Sequence, residues 1–434
     1  MNPTASVSAA RPDIAIRTRR RVLAVCESFS YTSGGCVDAL ETVRALHQAG
    51  CEVLLWSLSP AQVELNQPWL GDLTRYESPP FFWGGRGIGK RLARFREEVR
   101  FLRMVRLLRP TLCLVLTDRP RLVYRLVNRW TRVVFFVQDV THTCPGDPPH
   151  RYLKVSRSAC ARPAGLSCLG VDRVEGCLGD RVWWRKLYRI AHSVLTARLL
   201  SGIDTIVTQS SFSEALVRRG LSRSARVIVH PRIHPAAQAT ELPGKPEEAR
   251  RRLGFVGRVE TYKGILEAIE ILALLPETYC LKIIGSGGAE PEARRLVRER
   301  GLERRVAFIG WLERAETARA VAACGVVLVP SLCAEVFGMV GPEALDLGTP
   351  VVAYSVGGVP EWCDGAVART VPLGDRAAAA EAVLEITGDS DRWRSLCEQA
   401  RVFARTCFDE TRSRKRLLAI LEVGPREARG GAAC

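Results

Sequence analysis

Short apolar runs recur along the chain, and each is followed by a turn and a segment with helical periodicity. Val22–Cys26 is the first run; a polar loop as far as Gly35 follows it, and apolar residues then repeat at helical spacing until Gly50. Val53–Trp56 begins the next unit. Buried strands that alternate with helices form parallel sheets, because each helix carries the chain back across the sheet. The sequence therefore predicts an α/β fold built on parallel sheets.

A proline-rich break divides this rhythm into two halves. Pro231, Pro235 and Pro243 interrupt the chain after the run Ala225–Val229, and the rhythm resumes at Leu253–Val256. With 434 residues, of which 47% are hydrophobic, the chain is long enough for two separate cores. We predict a disordered basic lead-in at 1–20, a first Rossmann-like domain at 21–235 with an insert at 139–180, a second at 236–408, and a C-terminal helix and tail at 409–434. Residues 60–87 are predicted to be irregular.

The second half contains two glutamates, Glu335 and Glu343, that are separated by seven residues. Pro342 and Glu343 favour a helix that starts at Val340, because proline fits the first turn and a carboxylate suits the positive end of the helix dipole. The free amides of that turn would face the preceding loop, where they can bind phosphate. The alternative is that the two glutamates have no functional role and have this spacing by chance, since an exposed helix start favours glutamate in any protein.

Two basic residues stand at another predicted strand-to-helix edge. Arg258 follows the strand Leu253–Val256, and Lys263-Gly264 begins the next helical segment. Open parallel sheets bind ligands outside the carboxyl ends of their strands. Cationic groups near a helix start suit a diphosphate, so Arg258 and Lys263 predict a diphosphate site at this edge of the second sheet.

The stretch from Ser331 to Glu361 closely resembles the donor-site segment of retaining glycosyltransferases of family 4, and the resemblance extends from about Val22 to about Phe408. The resemblance implies the GT-B fold, in which two Rossmann-like domains face each other across a cleft. It also implies an enzyme that moves a sugar from a nucleotide-sugar to an acceptor with retention at the anomeric carbon. Such an enzyme would serve polysaccharide or glycoconjugate biosynthesis.

The resemblance assigns roles to individual residues. Glu335 would contact the donor sugar, and Glu343 would contact the ribose of the nucleotide. The other donor-binding residues that the resemblance implies are Arg258, Lys263, Gly338, Met339, Val340, Gly34 and Gly35. Relatives carry a His followed by Asp after the strand Val133–Val137, next to the transferred sugar, whereas this chain has Gln138 there. His142 lies four residues further on, so the catalytic candidates are Glu335, His142 and Gln138.

The chain is strongly basic, with 63 Lys and Arg against 46 Asp and Glu and a formal net charge of +17. Such a charge favours anionic partners, which include nucleotide-sugars and anionic lipid surfaces. Zinc-finger spacing and RNP motifs are lacking, so nucleic acid is not an expected partner. Residues 88–106 have an apolar face, which includes Phe95, and an arginine face. This segment is either a helix that covers the sheet or one that also rests on an anionic membrane.

No apolar run approaches the ~18 residues that a membrane-spanning helix needs. The first residues of the chain also lack the continuous apolar core of a secretory signal, and fifteen cysteines fit a reducing compartment. We therefore expect a cytoplasmic protein, either free or peripheral at the inner face of the membrane. The acceptor would be a sugar, a lipid-linked molecule or a small molecule.

The insert contains Cys144, Cys160, Cys168 and Cys177. Four cysteines in so short a segment form either a tetrahedral zinc site or a set of packed thiols. The spacing lacks a C-x2-4-C pair, so the sequence favours packed thiols. No Asp-x-Asp sequence stands where it would hold a divalent ion at the diphosphate. We therefore expect sugar transfer that needs neither a metal nor a cofactor.

Two other functions fit parts of the sequence. A GT-B relative with different nucleotide-sugar chemistry, such as an epimerase, would share the fold, although the two-glutamate stretch argues against it. A non-enzymatic polyanion-binding protein would use the arginine surface, and it would bind heparin or lipid without affinity for nucleotides.

Overall fold

The computed structural model describes residues 20–26, 34–58, 73–77, 88–117, 121–139, 143–146, 152–153, 155–156, 158–160, 162, 164–179, 182–219, 221, 225–231, 245–363 and 365–423. Two parallel sheets dominate it, one from each half of the chain. A small antiparallel pair, Tyr152–Leu153 with Ser158–Ala159, lies in the insert.

The first sheet has seven strands: β1 (Arg21–Cys26), β2 (Glu52–Ser57), β3 (Thr74–Glu77), β4 (Leu112–Leu116), β5 (Arg132–Phe136), β6 (Thr205–Thr208) and β7 (Arg226–Val229). Their order across the sheet is β3-β2-β1-β4-β5-β6-β7, and all neighbours pair in parallel. The helices of this half are α1 (Gly34–Gln48), α2 (Ile88–Leu108), α3 (Leu122–Val127), α4 (Ser167–Glu175), α5 (Trp183–Leu199) and α6 (Ser211–Arg218).

The first sheet is buried on both faces. Val22 and Ala24 of β1 belong to one hydrophobic cluster, and their neighbours Leu23 and Val25 belong to another on the opposite face. All four side chains are fully buried. Helices on both faces thus explain why the strands form continuous apolar runs in the sequence.

The second sheet has six strands: β8 (Arg252–Val256), β9 (Cys280–Ile284), β10 (Val306–Gly310), β11 (Val326–Val329), β12 (Val351–Tyr354) and β13 (Ala368–Val371). Their order is β10-β9-β8-β11-β12-β13, again with parallel neighbours. The helices of this half are α7 (Ile265–Ala273), α8 (Glu290–Glu299), α9 (Arg314–Ala322), α10 (Val340–Asp346), α11 (Arg376–Thr387), α12 (Ser390–Cys407) and α13 (Glu410–Ile420).

Helix α13 packs against the first domain, although it follows the second sheet in the sequence. Its residues Leu417 and Ile420 are buried in a hydrophobic cluster of the first domain. The Arg132 guanidinium donates to the carbonyl oxygens of Ile420 at 3.0 Å and Leu421 at 3.1 Å. The end of the chain therefore crosses from the second domain back to the first.

Two expectations for the first half are wrong. Residues 60–87 include an edge strand, β3, which pairs with β2 on one side only. Phe95, expected on the apolar face of α2, is 65% exposed. The helix instead buries Phe101, whose ring meets Trp56 edge-on at a centroid distance of 5.1 Å. The aromatic contact fixes the buried face half-way along the helix.

The basic side of α2 is partly engaged within the protein. The Arg106 guanidinium lies 4.2 Å from the Trp130 ring centroid. The Arg100 guanidinium lies 5.8 Å from the Trp56 ring centroid and forms a 3.7 Å ion pair with Glu97. These contacts are typical of a helix that covers a sheet. Among the described residues, none of the helices has the length and apolar content needed to span a bilayer.

Candidate functional site

The loops that follow β8 and β11 stand side by side. These strands are neighbours, and the strand order of the second sheet reverses between them. Open α/β sheets bind ligands at this point, outside the carboxyl ends of the strands. The arrangement brings together Arg258 and Lys263 from one loop and Glu335 from the other.

Helix α7 starts directly against the end of β11. Gly264 precedes the helix with φ +80°, and a Cβ built on it would lie 1.8 Å from the carbonyl oxygen of Pro330. The Leu332 amide donates to the carbonyl oxygen of Tyr262 at 2.9 Å. Only a glycine permits this approach of two backbones. The contact holds Lys263 beside the loop that follows β11.

Lys263 and Glu335 form an ion pair at the centre of the site. Lys263 Nζ donates to Glu335 Oε1 at 2.6 Å, and the Ser331 hydroxyl donates to the same oxygen at 2.6 Å. The two charged side chains are mostly buried, with exposed fractions of 27% and 14%. Charge-assisted hydrogen bonds are shorter and stronger than neutral ones, so this ion pair is a strong contact at the centre of the site.

The ion pair keeps both side chains charged. Burial alone raises the pKa of the Glu335 carboxyl, but the charge and hydrogen bond of Lys263 outweigh burial and hold the pKa below its usual value. Burial likewise lowers the pKa of Lys263, and the charge of Glu335 outweighs it, so the net pKa is raised. A buried cation and a buried anion are thus fixed next to each other at neutral pH.

Arg258 adds a second positive charge at the same edge. Its side chain is exposed, and the guanidinium lies 5.5 Å from the Tyr262 ring centroid. The charge of Arg258 also lowers the pKa of Glu335, although less than Lys263 does. The sequence-based prediction that Arg258 and Lys263 stand together thus agrees with the geometry of the loops.

The loop that follows β12 supports Glu335 from behind. The Gly358 amide donates to the carbonyl oxygen of Glu335 at 2.9 Å. Gly357 has φ +57°, and a Cβ there would lie 2.1 Å from the same carbonyl oxygen. Gly357 and Gly358 therefore hold the backbone of Glu335, whose carboxylate accepts a hydrogen bond from Lys263.

The predicted donor-binding residues Gly338, Met339 and Val340 form the entry to α10. Gly338 has φ +83°, which glycine adopts without strain. Trp362 Nε1 donates to the carbonyl oxygen of Phe337 at 2.6 Å, and the Trp362 side chain is buried. The packed indole thus holds this turn in place.

Glu343 lies in the first turn of α10, with seven residues of chain between it and Glu335. Its side chain is half-buried, and burial raises its pKa to about 7. The positive charge of Arg314, at the start of α9, opposes this shift, and Asp346 adds to it. Arg314 Nη1 lies 3.7 Å from Glu41 Oε1 of α1, so this corner of the site also touches the first domain.

Because the pKa of Glu343 is raised, the free energy of unfolding should depend on pH. Its folded-state pKa of about 7 exceeds the usual 4.5, so the folded protein binds this proton more tightly than the unfolded chain does. The resulting contribution to the free energy of unfolding is fully present below the unfolded-state pKa. It is lost as the pH rises through the folded-state pKa. Relative to Glu343→Gln, the wild-type free energy of unfolding should fall by roughly 1–3 kcal/mol between about pH 5 and pH 8. Urea unfolding at a series of pH values measures this difference.

An exposed glutamate provides the control for that measurement. Glu303 lies on the surface of the second domain, so the stability difference between wild type and Glu303→Gln should hardly change with pH. A wild-type minus Glu343→Gln difference that is equally flat would contradict the raised pKa.

In the first domain, Gly35 and Gln138 meet at the carboxyl ends of β1 and β5. A Cβ built on Gly35 would lie 2.4 Å from Gln138 Oε1, so the glycine makes room for this side chain. Gln138 Nε2 is buried and has no hydrogen-bond partner within the described part of the chain. The structure thus brings a predicted catalytic candidate against a predicted donor-binding residue. His142 lies outside the described residues.

The position of Gly34 and Gly35 differs from the expectation. We placed both glycines in the loop that precedes the helix, whereas α1 begins at Gly34. The first-turn amides of a helix lack intrahelical partners. Both glycines therefore belong to the first turn of a 15-residue helix rather than to the preceding loop.

The two domains are joined beside the site by contacts to α6. The Ser211 and Phe212 amides, at the start of α6, donate to the Glu361 carboxylate at 2.8 and 2.9 Å. The Ser210 hydroxyl, which caps α6, donates to the carbonyl oxygen of Val336. A carboxylate at a helix N-terminus is favourable because it meets free N–H groups and the positive end of the helix dipole. The loop that carries Glu335 is therefore tied to the first domain.

Sequence reasoning missed three members of this site: Ser331, Arg314 and Glu361. Ser331 is four residues before Glu335, so the short distance along the chain could have predicted the hydrogen bond between them. Arg314 and Glu361 act across the two domains and have no local pattern to distinguish them from surface charges.

The sequence contains one Asp-x-Asp triplet, Asp389-Ser390-Asp391, which lies at the start of α12. Asp389 accepts a hydrogen bond from the Arg392 amide at 2.7 Å and caps this helix. Asp391 is paired with Arg394 at 3.1 Å. The triplet therefore has a structural role away from the loops that follow β8 and β11.

Comparison with known proteins identifies the second half of the chain. Residues 250–389 match the family model described as Glycosyl transferases group 1. A 2-deoxystreptamine glucosyltransferase from Streptomyces kanamyceticus is 31% identical over 196 residues, which cover 41% of this chain and 49% of that protein. A D-inositol 3-phosphate glycosyltransferase from Mycobacterium sp. (strain JLS) is 32% identical over 217 residues, covering 46% and 48%. The chain thus spans about half the length of the curated relatives it matches.

Solved structures resemble nearly the whole chain. HepE from Anabaena, solved in complex with UDP and glucose, has a TM-score of 0.67 at 16% identity and covers 93% of this chain and 100% of its own. Sucrose-phosphate synthase from Thermosynechococcus elongatus has a TM-score of 0.68 at 20% identity, covering 93% and 98%. At such low identity the likeness establishes the fold alone, and it confirms the predicted arrangement of two Rossmann-like domains. The chain therefore has the GT-B fold, and its residues 250–389 match the glycosyl transferases group 1 model.

Proposed function

We propose that this protein is a glycosyltransferase that moves a sugar from a nucleotide-sugar to an acceptor, with retention of the anomeric configuration. The observation that carries the proposal is the buried Lys263–Glu335 ion pair, with Arg258 beside it, at the ligand-binding edge of the second sheet. All three residues lie within the segment 250–389 that matches the glycosyl transferases group 1 model. The two named relatives are glycosyltransferases as well, which supports the same reaction class.

The leaving nucleoside diphosphate requires positive charge. When the bond to the anomeric carbon breaks, negative charge develops on the diphosphate and positive charge on the sugar. Lys263 and Arg258 would stabilise the diphosphate, because fixed charges in a site that excludes water act strongly and need no reorganisation during the reaction. Amides at the start of α10, next to Gly338, would assist as hydrogen-bond donors.

Glu335 would have two states in this cycle. Without donor, its carboxylate is neutralised by Lys263. A bound diphosphate competes for Lys263, which would release the carboxylate to accept hydrogen bonds from the hydroxyls of the donor sugar. Glu335 also suits the positive charge that develops on that sugar. Glu343 would accept hydrogen bonds from the ribose in its ionised form, so donor binding lowers its raised pKa.

The first domain would bind the acceptor. Gly34 and Gly35, at the N-terminus of α1, would face the donor diphosphate from the first domain and take part in donor binding. Gln138 stands in for the His that relatives carry, and its unpartnered amide nitrogen would donate to a hydroxyl of the sugar. His142 remains a proposed contributor. We propose polysaccharide or glycoconjugate biosynthesis as the setting, with a sugar, a lipid-linked molecule or a small molecule as acceptor.

The transfer would need neither a metal nor a cofactor. The charge of the diphosphate would be met by side chains, and the one Asp-x-Asp triplet caps α12. Activity that is unchanged by EDTA is the expected result. A rate that falls on chelation and returns with added Mg²⁺ or Mn²⁺ would contradict this part of the proposal.

The experiment that tests the function has two steps. A thermal-shift screen of nucleoside diphosphates first identifies the base. The matching nucleotide-sugars are then supplied with 2-deoxystreptamine, inositol 3-phosphate and simple sugars as acceptors, and products are identified by mass spectrometry and anomeric NMR couplings. An α-linked donor should yield an α-linked glycoside. An epimerised nucleotide-sugar without any glycoside would indicate an epimerase, and heparin binding without nucleotide binding would indicate a polyanion-binding protein.

A further inference from the structure

The four cysteines of the insert surround one small cavity. Cys144, Cys160, Cys168 and Cys177 all line it, although up to 33 residues of chain separate them. The rest of the lining is almost entirely apolar, and Arg162 is the one charged residue among the lining residues. None of the four forms a disulfide. Four thiols that converge from distant positions on one cavity are not explained by the frequency of cysteine in this chain.

The insert lacks a hydrophobic core of its own. Leu178 is fully buried, but within the described residues no side chain of 143–179 belongs to any of the hydrophobic clusters of the protein. Segments that cannot bury enough apolar surface depend on disulfides or metals for their fold. The thiol-lined cavity occupies the place where such a segment needs a stabilising centre.

Hydrogen bonds surround the cavity and order the backbone next to the thiols. The Gly146 amide donates to Cys144 Sγ at 3.4 Å, and the Leu178 amide, next to Cys177, donates to Asp172 Oδ1 at 2.6 Å. The Arg189 guanidinium of α5 donates to the carbonyl oxygens of Pro145 at 2.9 Å and Leu178 at 2.6 Å. Outer contacts of this kind orient the ligands of metal sites.

We propose that Cys144, Cys160, Cys168 and Cys177 bind one Zn²⁺ ion in a structural site. Four thiolates at the corners of a tetrahedron are the ligand set of closed structural zinc sites. The cavity measures about 20 Å³, little more than the ~10–15 Å³ that one water needs. This volume suits a single ion better than a four-iron cluster.

Metal binding would change the thiols themselves. As the side chains stand, no group of three or more His, Cys, Asp and Glu among the described residues could hold a metal ion. We therefore infer that zinc draws the sulfur atoms inward by side-chain rotation. Zinc binds cysteine as the thiolate, so uptake of the metal would release protons from the four side chains.

The proposed zinc site is close in sequence to Gln138, the catalytic candidate of the first domain. Cys144 follows Gln138 by six residues in the sequence, and Gln138 lies just after the end of β5. A closed zinc site would anchor the segment that contains Gln138 and His142. The zinc would therefore position the first-domain side of the cleft without contacting substrate.

Metal content of the full-length protein tests the proposal. Protein purified without chelators should contain about one zinc per chain by elemental analysis. Reduced, metal-stripped protein should take up about one Zn²⁺ in competition with a chromophoric chelator, and Co²⁺ should give the intense visible bands of tetrahedral thiolate coordination. Cys168→Ser should lose this uptake, Cys168→His should retain part of it, and Cys407→Ser, at an exposed cysteine of α12, should match the wild type.

Three results would overturn the assignment. The first is reduced wild-type protein that neither contains zinc nor takes it up. The second is a mass loss that corresponds to disulfides among the four cysteines, with no metal present. The third is bound iron and sulfide in place of zinc. Because uptake is measured on soluble wild-type protein, a poorly folding Cys168→Ser variant does not prevent the test, and failure here leaves the proposed sugar transfer unaffected.

Discussion

Replacing Lys263 with alanine should lower kcat/KM for the nucleotide-sugar by about 10²–10³-fold, which is the loss that follows removal of one preorganised charge-stabilising group. The variant loses the cation that would face the leaving diphosphate. Among the described residues, it also leaves Ser331 as the one remaining hydrogen-bond donor to the Glu335 carboxylate. Burial raises the pKa of Glu335 and the charge of Lys263 lowers it, so the pKa of Glu335 should rise when Lys263 is removed. Steady-state kinetics with the donor identified by the thermal-shift screen measures the effect.

Two control variants separate charge from geometry. Lys415 is an exposed lysine of α13, and Lys415→Ala should have wild-type kinetics. Lys263→Arg keeps the charge but cannot reproduce the compact ammonium, so it should recover only part of the rate. Lys263→Ala with wild-type kcat/KM would show that this lysine is merely half of a structural ion pair.

Replacing Gly264 with alanine should destabilise the second domain severely, by more than ~4 kcal/mol, a size that few single substitutions reach. Two effects add. A residue other than glycine at φ +80° is strained by about 1–2 kcal/mol, and the new Cβ would lie 1.8 Å from the Pro330 carbonyl oxygen. Both partners are backbone, so neither can rotate away. Thermal unfolding followed by calorimetry should show an early transition or insoluble protein.

Gly50 provides a matched control for this prediction. It has nearly the same φ, +81°, but a Cβ built on it meets nothing within 4 Å. Gly50→Ala should therefore cost only the backbone strain, about 1–2 kcal/mol. If Gly264→Ala destabilises the protein no more than Gly50→Ala does, the close approach of α7 to the end of β11 is wrong.

The sequence predicts the elements whose signals are local. Runs such as Val326–Val329 and Val351–Tyr354 are buried on both faces, so continuous apolar residues mark them as strands. Helix α10 starts at the predicted residue because the turn chemistry of Pro342 and Glu343 is local as well. The edge strand β3 was missed because Thr74–Glu77 pairs on one side only and has no apolar run.

Features of the site that depend on tertiary contacts were beyond the sequence. Lys263 and Glu335 are 72 residues apart, and their ion pair exists because β8 and β11 are neighbours. The sequence predicted each residue as a donor-site residue, but no pattern in it predicted that the two side chains form an ion pair. The convergence of four insert cysteines on one cavity is a tertiary property too, which is why their spacing alone favoured packed thiols.

Calorimetric titration with the nucleoside diphosphate tests the central claim most directly. If Glu343 holds the ribose, Glu343→Ala should weaken binding by roughly 10- to 150-fold, since a hydrogen bond to a charged group contributes ~1.5–3 kcal/mol. If Glu335 contacts only the sugar, Glu335→Ala should bind the diphosphate at least as tightly as the wild type, because it frees Lys263. That variant should nevertheless turn over the intact donor far more slowly. Equal losses of affinity in both variants, or no effect of either on binding and turnover, would contradict the account.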